Sequence, residues 1–454
     1  MPTLTLIQPL FENADLDRNQ RTLYPLGLGY LAGYAPAGWR VRLVDEQLES
    51  VELDSPTDLV GISTTTMTIN RAYEIADAFR ERGVPVVMGG IHVSVRPDEA
   101  LEHCDAVCIG DGEPVMEQIL RDAEVGRLQR RYQAEHGELA GLKPPRRDIF
   151  SAGYAFLPVS TSRGCPFDCA FCAIHTFYGG RYRQRPVPEV LRELENLPQG
   201  HRVVFFSDGN LYGYSKADRA RFMELCRGIA ALREAGRLPF ARWTAYGSVN
   251  ALDDTEALEL AARAGCLALF VGFESINPAS LVEMGKKLNL RFGVESYERL
   301  VRNAQERGIL VVGEIVVGAD ADTTEVLADT ASFLERIDFD LLRLQILQPL
   351  PGTRLFERLE AEGRLHLKDF PADWLRLCEG FTMGVHFDTR GTSPTELQRW
   401  VRRTGLAFYR PRRIARRVAR VLRLTHSPSL AATVALMNAK SRRTYANARI
   451  EDTP

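Results

Sequence analysis

Cys165, Cys169 and Cys172 form a Cys-x3-Cys-x2-Cys run in Ser162-Arg163-Gly164-Cys165-Pro166-Phe167-Asp168-Cys169-Ala170-Phe171-Cys172, just after an apolar, strand-like segment. Three thiolates this close in sequence can hold three irons of a cubane cluster and leave the fourth open, whereas clusters used only for electron transfer normally have four Cys ligands. An open iron can bind a substrate. A structural zinc site wants four ligands, usually as two pairs; His175 is the only nearby candidate for a fourth, and no second Cys-x2-Cys pair exists. A disulfide is the remaining reading of such cysteines.

Elements that would position this run can be read on both sides of it. Downstream, β-rich runs at 155–161, 201–207, 240–246, 267–274, 310–318 and 341–347 are each followed by helical spacing, at 188–197, 216–234, 255–264, 294–307, 323–337 and 353–363. Six strand–helix units predict a partial (β/α)6 barrel, short of the eight of a full barrel, with the Cys run just past the C-terminal end of its first strand, where barrels carry chemistry. Upstream, strands at 3–8, 41–44, 58–63, 84–88 and 105–109 alternate with helical stretches, the pattern of a parallel, Rossmann-like sheet wrapped by helices. Glycines follow two of these strand ends, at Gly89-Gly90 and Gly110-Asp111-Gly112, where such a sheet places its ligand. No G-x-G-x-x-G follows the first strand, so nicotinamide binding is a poor reading.

The expected fold is therefore α/β: a Rossmann-like domain over residues 1–125, an Arg-, Gly- and Pro-rich linker over 126–154, a barrel core over 155–355, and a mainly helical region with a basic tail over 356–454. A chain of 454 residues fits two or three domains. No basic-plus-apolar leader and no bilayer-length apolar run is present, which, with thiolate chemistry, predicts a reducing cytoplasm. Residues 401–454 carry 13 Lys/Arg and 2 Asp/Glu, leaving 44 against 57 in residues 1–400: a basic appendix on an acidic body. The other cysteines, Cys104, Cys108, Cys226, Cys266 and Cys378, sit in apolar or helical contexts and read as buried small hydrophobes.

With aromatic Phe171 before the last Cys, the run resembles the Cys-x3-Cys-x-aromatic-Cys signature of the radical S-adenosylmethionine (SAM) superfamily. The resemblance implies a [4Fe-4S] cluster held by Cys165, Cys169 and Cys172, whose open iron chelates SAM; one electron, from a flavodoxin- or ferredoxin-type reductant, then yields a 5′-deoxyadenosyl radical. Carried to the strand ends, it places Phe171 beside SAM, Asp208 and Gly209 of Phe206-Ser207-Asp208-Gly209-Asn210 at the SAM ammonium, Glu274 at its ribose or amino group, and Ile315 and Gly318 at the adenine. Asp208 has a turn-capping alternative. Glu274 ends a nearly all-apolar run, so its carboxylate needs a partner. One of Arg181, Arg183 and Arg185 would steady a negatively charged cluster and substrate.

The first 125 residues resemble the cobalamin-binding domain that precedes the radical SAM domain in one large subgroup, through Asp58-Leu59-Val60-Gly61-Ile62-Ser63-Thr64-Thr65-Thr66, Val87-Met88-Gly89-Gly90-Ile91-His92 and Ile109-Gly110-Asp111-Gly112-Glu113. The implied cobalamin contacts are Ser63, Thr64, Thr65, Gly89, Gly90, His92, Gly110, Gly112 and Glu113; His92 reads equally as a loop-stabilising residue. Many such domains supply a cobalt-ligating His in Asp-x-His-x-x-Gly. Here Asp45-Glu46-Gln47-Leu48-Glu49-Ser50 puts Gln47 at that position, predicting cobalamin without protein imidazole ligation, or a domain that has lost its corrinoid.

The family chemistry implies C-methylation at an unactivated carbon through methylcobalamin. Radical cyclisation or rearrangement, with or without cobalamin, and a non-catalytic corrinoid or cluster carrier are the alternatives. Trp374, Cys378 and Phe381 fall in the added C-terminal region, where substrate contacts are expected. Its arginine-covered helix, with Ile414, Val418, Val421 and Leu422 in one stripe, either lies on an anionic bilayer or docks on the acidic body. Either a soluble small molecule or a lipid is compatible as substrate; no nucleic-acid reading module is present.

Overall fold

The computed structural model describes residues 1–11, 24–151, 154, 156–200, 203–379, 383–448 and 450. Phe381 and the expected strand starts at 155 and 201 lie outside them. The first sheet contains β1 (Thr3–Gln8), β2 (Arg40–Asp45), β3 (Leu59–Thr64), β4 (Val86–Gly90), β5 (Ala106–Ile109) and β6 (Arg131–Gln133), all parallel in the order β2-β1-β3-β4-β5-β6. Both faces are covered, which is why the central strands read as apolar runs. Leu4, Leu6, Leu59 and Val87 pack on one side, and Ile7, Val60, Ile62, Val86 and Met88 on the other. β6 corrects the expected linker. Its three residues bury only Tyr132, too short an alternation to read as a strand, yet they pair with β5.

The second sheet is the expected open barrel. Its chain continues through β7 (Leu157–Val159), β8 (Ser162–Gly164), β9 (Tyr182–Gln184), β10 (Val203–Phe206), β11 (Arg242–Gly247), β12 (Cys266–Glu274), β13 (Leu310–Val317) and β14 (Leu341–Ile346). Six of these pair in parallel in the order β14-β13-β12-β11-β10-β7. β8 and β9 instead form an antiparallel hairpin that encloses the Cys run. Outward side chains such as Phe206, Trp243 and Phe273 join the helices in the main core. The expected helix at 216–234 is seen as Lys216–Glu234, begun by a capping box in which Ser215 and Asp218 satisfy each other's backbone N–H groups.

Helices Pro394–Phe408, Pro411–Thr425 and Pro428–Asn447 close the chain; the last was not foreseen from sequence. They cover β14, whose outer edge would otherwise leave backbone groups unpaired. The Tyr409 hydroxyl accepts from Leu342 N–H (2.8 Å) and donates to Leu342 C=O (2.7 Å), and Tyr445 does the same for Leu344 (3.0 and 3.1 Å). Tyr445→Phe strands both groups of Leu344 in the core. It is expected to cost about 1–3 kcal/mol, read as a lowered thermal midpoint.

Candidate active site between two domains

The Cys run lies in the loop joining β8 to β9, and several contacts fix that loop. Gly164 has φ +87°, and a Cβ there would collide with the Arg181 carbonyl across the hairpin. Ala170 N–H donates to Met284 C=O (3.0 Å), Leu355 N–H donates to Ala170 C=O (3.0 Å), and Arg354 pairs with Asp168 (2.7 Å). Gly285, at φ +72°, lets the next segment pass close to Asp168. The three thiols interact electrostatically; burial first, then Cys172 and Cys169, push the Cys165 thiol up to about 12. Among the described residues no three His, Cys, Asp or Glu side chains converge on a single-ion point. A cubane takes each thiolate at a separate iron, and three thiols of one loop close enough to interact are the donor type it requires.

A buried ion pair adjoins the thiols. Lys286 Nζ donates to Glu274 Oε1 at 3.0 Å, and each side chain is about a tenth exposed or less. Burial alone would lower the Lys286 pKa, but Glu274, Cys169 and Cys165 raise it. Lys286 is thus the partner that Glu274 required, and it places a cation beside the cluster loop. Glu274 has φ +61°, uncommon for a residue with a Cβ, at an irregularity in the β12–β13 register. Any side chain at Gly272 would meet its carboxylate. Further along, Arg343 bonds Glu314 and Tyr246 (both 3.1 Å) and lies over the Phe270 ring.

Between the domains runs a cleft of about 400 Å³. Ser63, Thr64, Thr65, Gly90, Gly110, Gly112 and Glu113 line it from the first domain. Ser162, Arg163, Gly164, Ile174, Tyr178 and Gly209 line it from the barrel. It shares Leu31, Ser63, Gly90, Gly110 and Gly112 with a narrow apolar slot of about 70 Å³ beneath them, which Gly89 also lines. A Cβ on Gly112 would fill the throat, 2.8 Å from Leu31 Cδ2. A cleft continuing into an apolar slot edged by Gly89, Gly90, Gly110 and Gly112 is a lining that would let a corrinoid approach the backbone closely.

Charges lock the two walls together. Arg163, two residues before Cys165, pairs with Asp111 (3.0 Å) and Glu113 (3.1 Å) and lies over the Tyr30 ring. Arg183 also pairs with Asp111 (2.8 Å), and Arg185 with Glu193 (2.6 Å). Arg181 stays exposed. The buried arginines of this trio therefore tie elements together rather than forming a free basic loop.

Several of the expected contact residues have partners within the protein. Asp208 is 1% exposed. Its carboxylate accepts from Thr161 N–H (3.2 Å), Thr161 Oγ1 (2.8 Å) and Ser162 Oγ, so it anchors the strand before the Cys run. Gly209 does permit a close approach, but to the Gly164 carbonyl. His92 is fully buried between Thr66 Oγ1 (3.0 Å) and Glu99 (3.1 Å), edge-on to Trp374. Glu113 lines the cleft with its carboxylate committed to Arg163. Strand alternation turns Ile315 into the outer core and leaves Glu314 beside Arg343. Phe171 packs in an apolar cluster with Met284 and Leu355, and Gly318 N–H donates to Asp322 (2.8 Å). Lys286, Arg163 and Asp111 were not singled out from sequence. The signal for Lys286 was the uncompensated Glu274.

Residues 159–334 match the radical SAM superfamily and residues 17–120 the B12 binding domain. The bacteriochlorophyllide d C-12(1)-methyltransferase of Chlorobaculum tepidum is 32% identical over 79% of this chain and 78% of its own. The C-8(2)-methyltransferase of the same organism is 28% identical over 78% and 80%. The fold resembles the radical SAM methyltransferase TsrM of Kitasatospora setae, solved with cobalamin and a [4Fe-4S] cluster, at TM-score 0.70 and 19% identity over 98% of this chain and 100% of that one. With both domains matched in order and a relative 32% identical over more than three quarters of both chains, the chain belongs to the cobalamin-dependent radical SAM enzymes.

Proposed function

We propose that this enzyme is a C-methyltransferase acting on an unactivated carbon. The observation that carries the reading is the interdomain cleft, lined on one wall by the residues expected to contact the corrinoid and on the other by the hairpin that bears the cysteines. The methyltransferase names of the two curated relatives support it. When bound, the cluster, SAM and cobalamin together supply radical generation and a transferable methyl group. Cys165, Cys169 and Cys172 would hold the cluster; Ser63, Thr64, Thr65 and the glycines Gly89, Gly90, Gly110 and Gly112 would hold the corrinoid. Lys286 neutralises Glu274 and offsets thiolate charge beside the loop. Arg163 fixes the distance between the two walls, so that groups bound on each face one another. Phe205, Tyr246 and Phe270 stack edge to face across the strands and give the sheet an aromatic inner surface, with Arg343 over it, for a small-molecule or lipid substrate.

A flavodoxin- or ferredoxin-type protein is the expected electron source. The test is anaerobic turnover of the corrinoid-loaded and corrinoid-free enzyme with SAM and a low-potential reductant. S-adenosylhomocysteine formed only by the loaded enzyme supports methyl transfer. 5′-Deoxyadenosine without S-adenosylhomocysteine in both preparations assigns the enzyme to cyclisation or rearrangement instead.

A further inference from the structure

We propose that the C-terminal helices form a docking face for an anionic phospholipid bilayer. The helix Pro411–Thr425 divides its arginines between two sides. Arg413, Arg417 and Arg420 turn inward: Arg417 is fully buried over the Phe408 ring at 3.7 Å, Arg420 pairs with Asp340 (2.7 Å), and Arg413 donates to the Glu335 carbonyl (2.8 Å). Of the apolar stripe Val421 is buried with these arginines, while Leu422 stays exposed. Arg412, Arg416 and Arg423 are left exposed, and their side chains make no hydrogen bond or ion pair among the described residues. Apolar groups accompany these free cations. Leu436 is 72% exposed and Leu422 44%. A groove of about 600 Å³ between this helix and Pro428–Asn447 is lined by Ile414, Ala415, Val418, Ala435 and Ala439.

Arg442 lines that groove and also an adjoining concavity of about 510 Å³ whose other walls include Arg399, Arg402, Arg403 and Arg410. None of these five arginines has a carboxylate partner among the described residues. The two acidic residues that follow position 400, Glu451 and Asp452, lie outside the described residues. Arginines without carboxylate partners, on the same helices as exposed leucines and an apolar groove, match lipid phosphates above acyl chains; a soluble polyanion would use the charge and leave the leucines in water. No helix among the described residues is long and apolar enough to cross a membrane, so the contact is peripheral.

The test is co-sedimentation of the anaerobically purified, cluster-loaded full chain with phosphatidylcholine vesicles, with and without phosphatidylglycerol, at low and high salt. Binding is expected only with phosphatidylglycerol and is weakened by salt. The combined variant Arg412→Gln, Arg416→Gln, Arg423→Gln should bind roughly a hundredfold more weakly, because each arginine near such a surface accounts for about a fivefold change. Leu436→Asp should weaken binding by about tenfold, and both variants should cleave SAM at the unaltered rate. Equal binding to neutral vesicles, or undiminished binding by the triple variant, overturns the proposal. So does tight binding to duplex DNA that Leu436→Asp leaves unchanged, which would assign the face to nucleic acid.

Discussion

Alanine at Cys165, Cys169 and Cys172 together is expected to abolish both iron binding and 5′-deoxyadenosine release from SAM. The loss is total because an isolated thiol-free loop offers no strong iron donor in their place; His175, the nearest imidazole, sits 3.2 Å from Asp168. Loop collapse would not account for it. The loop is held by backbone bonds from Ala170 and Leu355 and by the Arg354–Asp168 pair, none of which uses a thiol. The variant should therefore keep its thermal midpoint in the metal-free state. Iron content, 5′-deoxyadenosine and the metal-free midpoint, measured on one preparation, separate ligation from folding.

Arg163→Ala should have the next largest effect. It leaves Asp111 and Glu113, each less than a tenth exposed, without their shared guanidinium at the domain boundary. Removing one partner of a buried ion pair costs about 3–5 kcal/mol. The same change loosens the glycine loop of the first domain from the cluster hairpin, so SAM-dependent turnover should fall with stability. Burial alone would raise the Asp111 carboxyl, but Arg163, His136 and Arg183 hold it below its usual range. A depressed carboxyl stabilises the fold above its unfolded value of about 3.9 and loses that contribution as pH falls through the folded value. The parent protein should therefore lose stability in acid through Asp111. The variant, retaining less of the depression, should show a flatter acid limb; thermal midpoints from pH 7 downward read both.

The strand–helix alternation, the six barrel strands and the Cys run were legible because each repeats a local pattern: apolar runs buried on both faces, helical spacing, and thiols close in sequence. What escaped were short or long-range features. β6, β8 and β9 have three residues each, fewer than a periodicity needs, and exist because a neighbouring strand pairs them. Asp208 and His92 were recognised as polar residues at strand ends. Their direction depends on Thr161, Ser162, Thr66 and Glu99, which only the folded chain brings near. Ile315 and Glu314 show the same limit at one-residue scale, since a motif names a strand end without saying which face looks inward. The arginine helix was visible as amphipathic, but not that its inward side buries Arg417 against Phe408.

The central claim is that one chain holds a three-Cys cluster and a corrinoid across the interdomain cleft. Purifying it anaerobically from cobalamin-supplied cells and measuring iron, sulfide and corrinoid per chain tests that directly. The account predicts about four irons, about four sulfides and about one corrinoid. Four irons without corrinoid would contradict it, leaving the glycine-lined slot as a remnant and the enzyme without methylcobalamin chemistry.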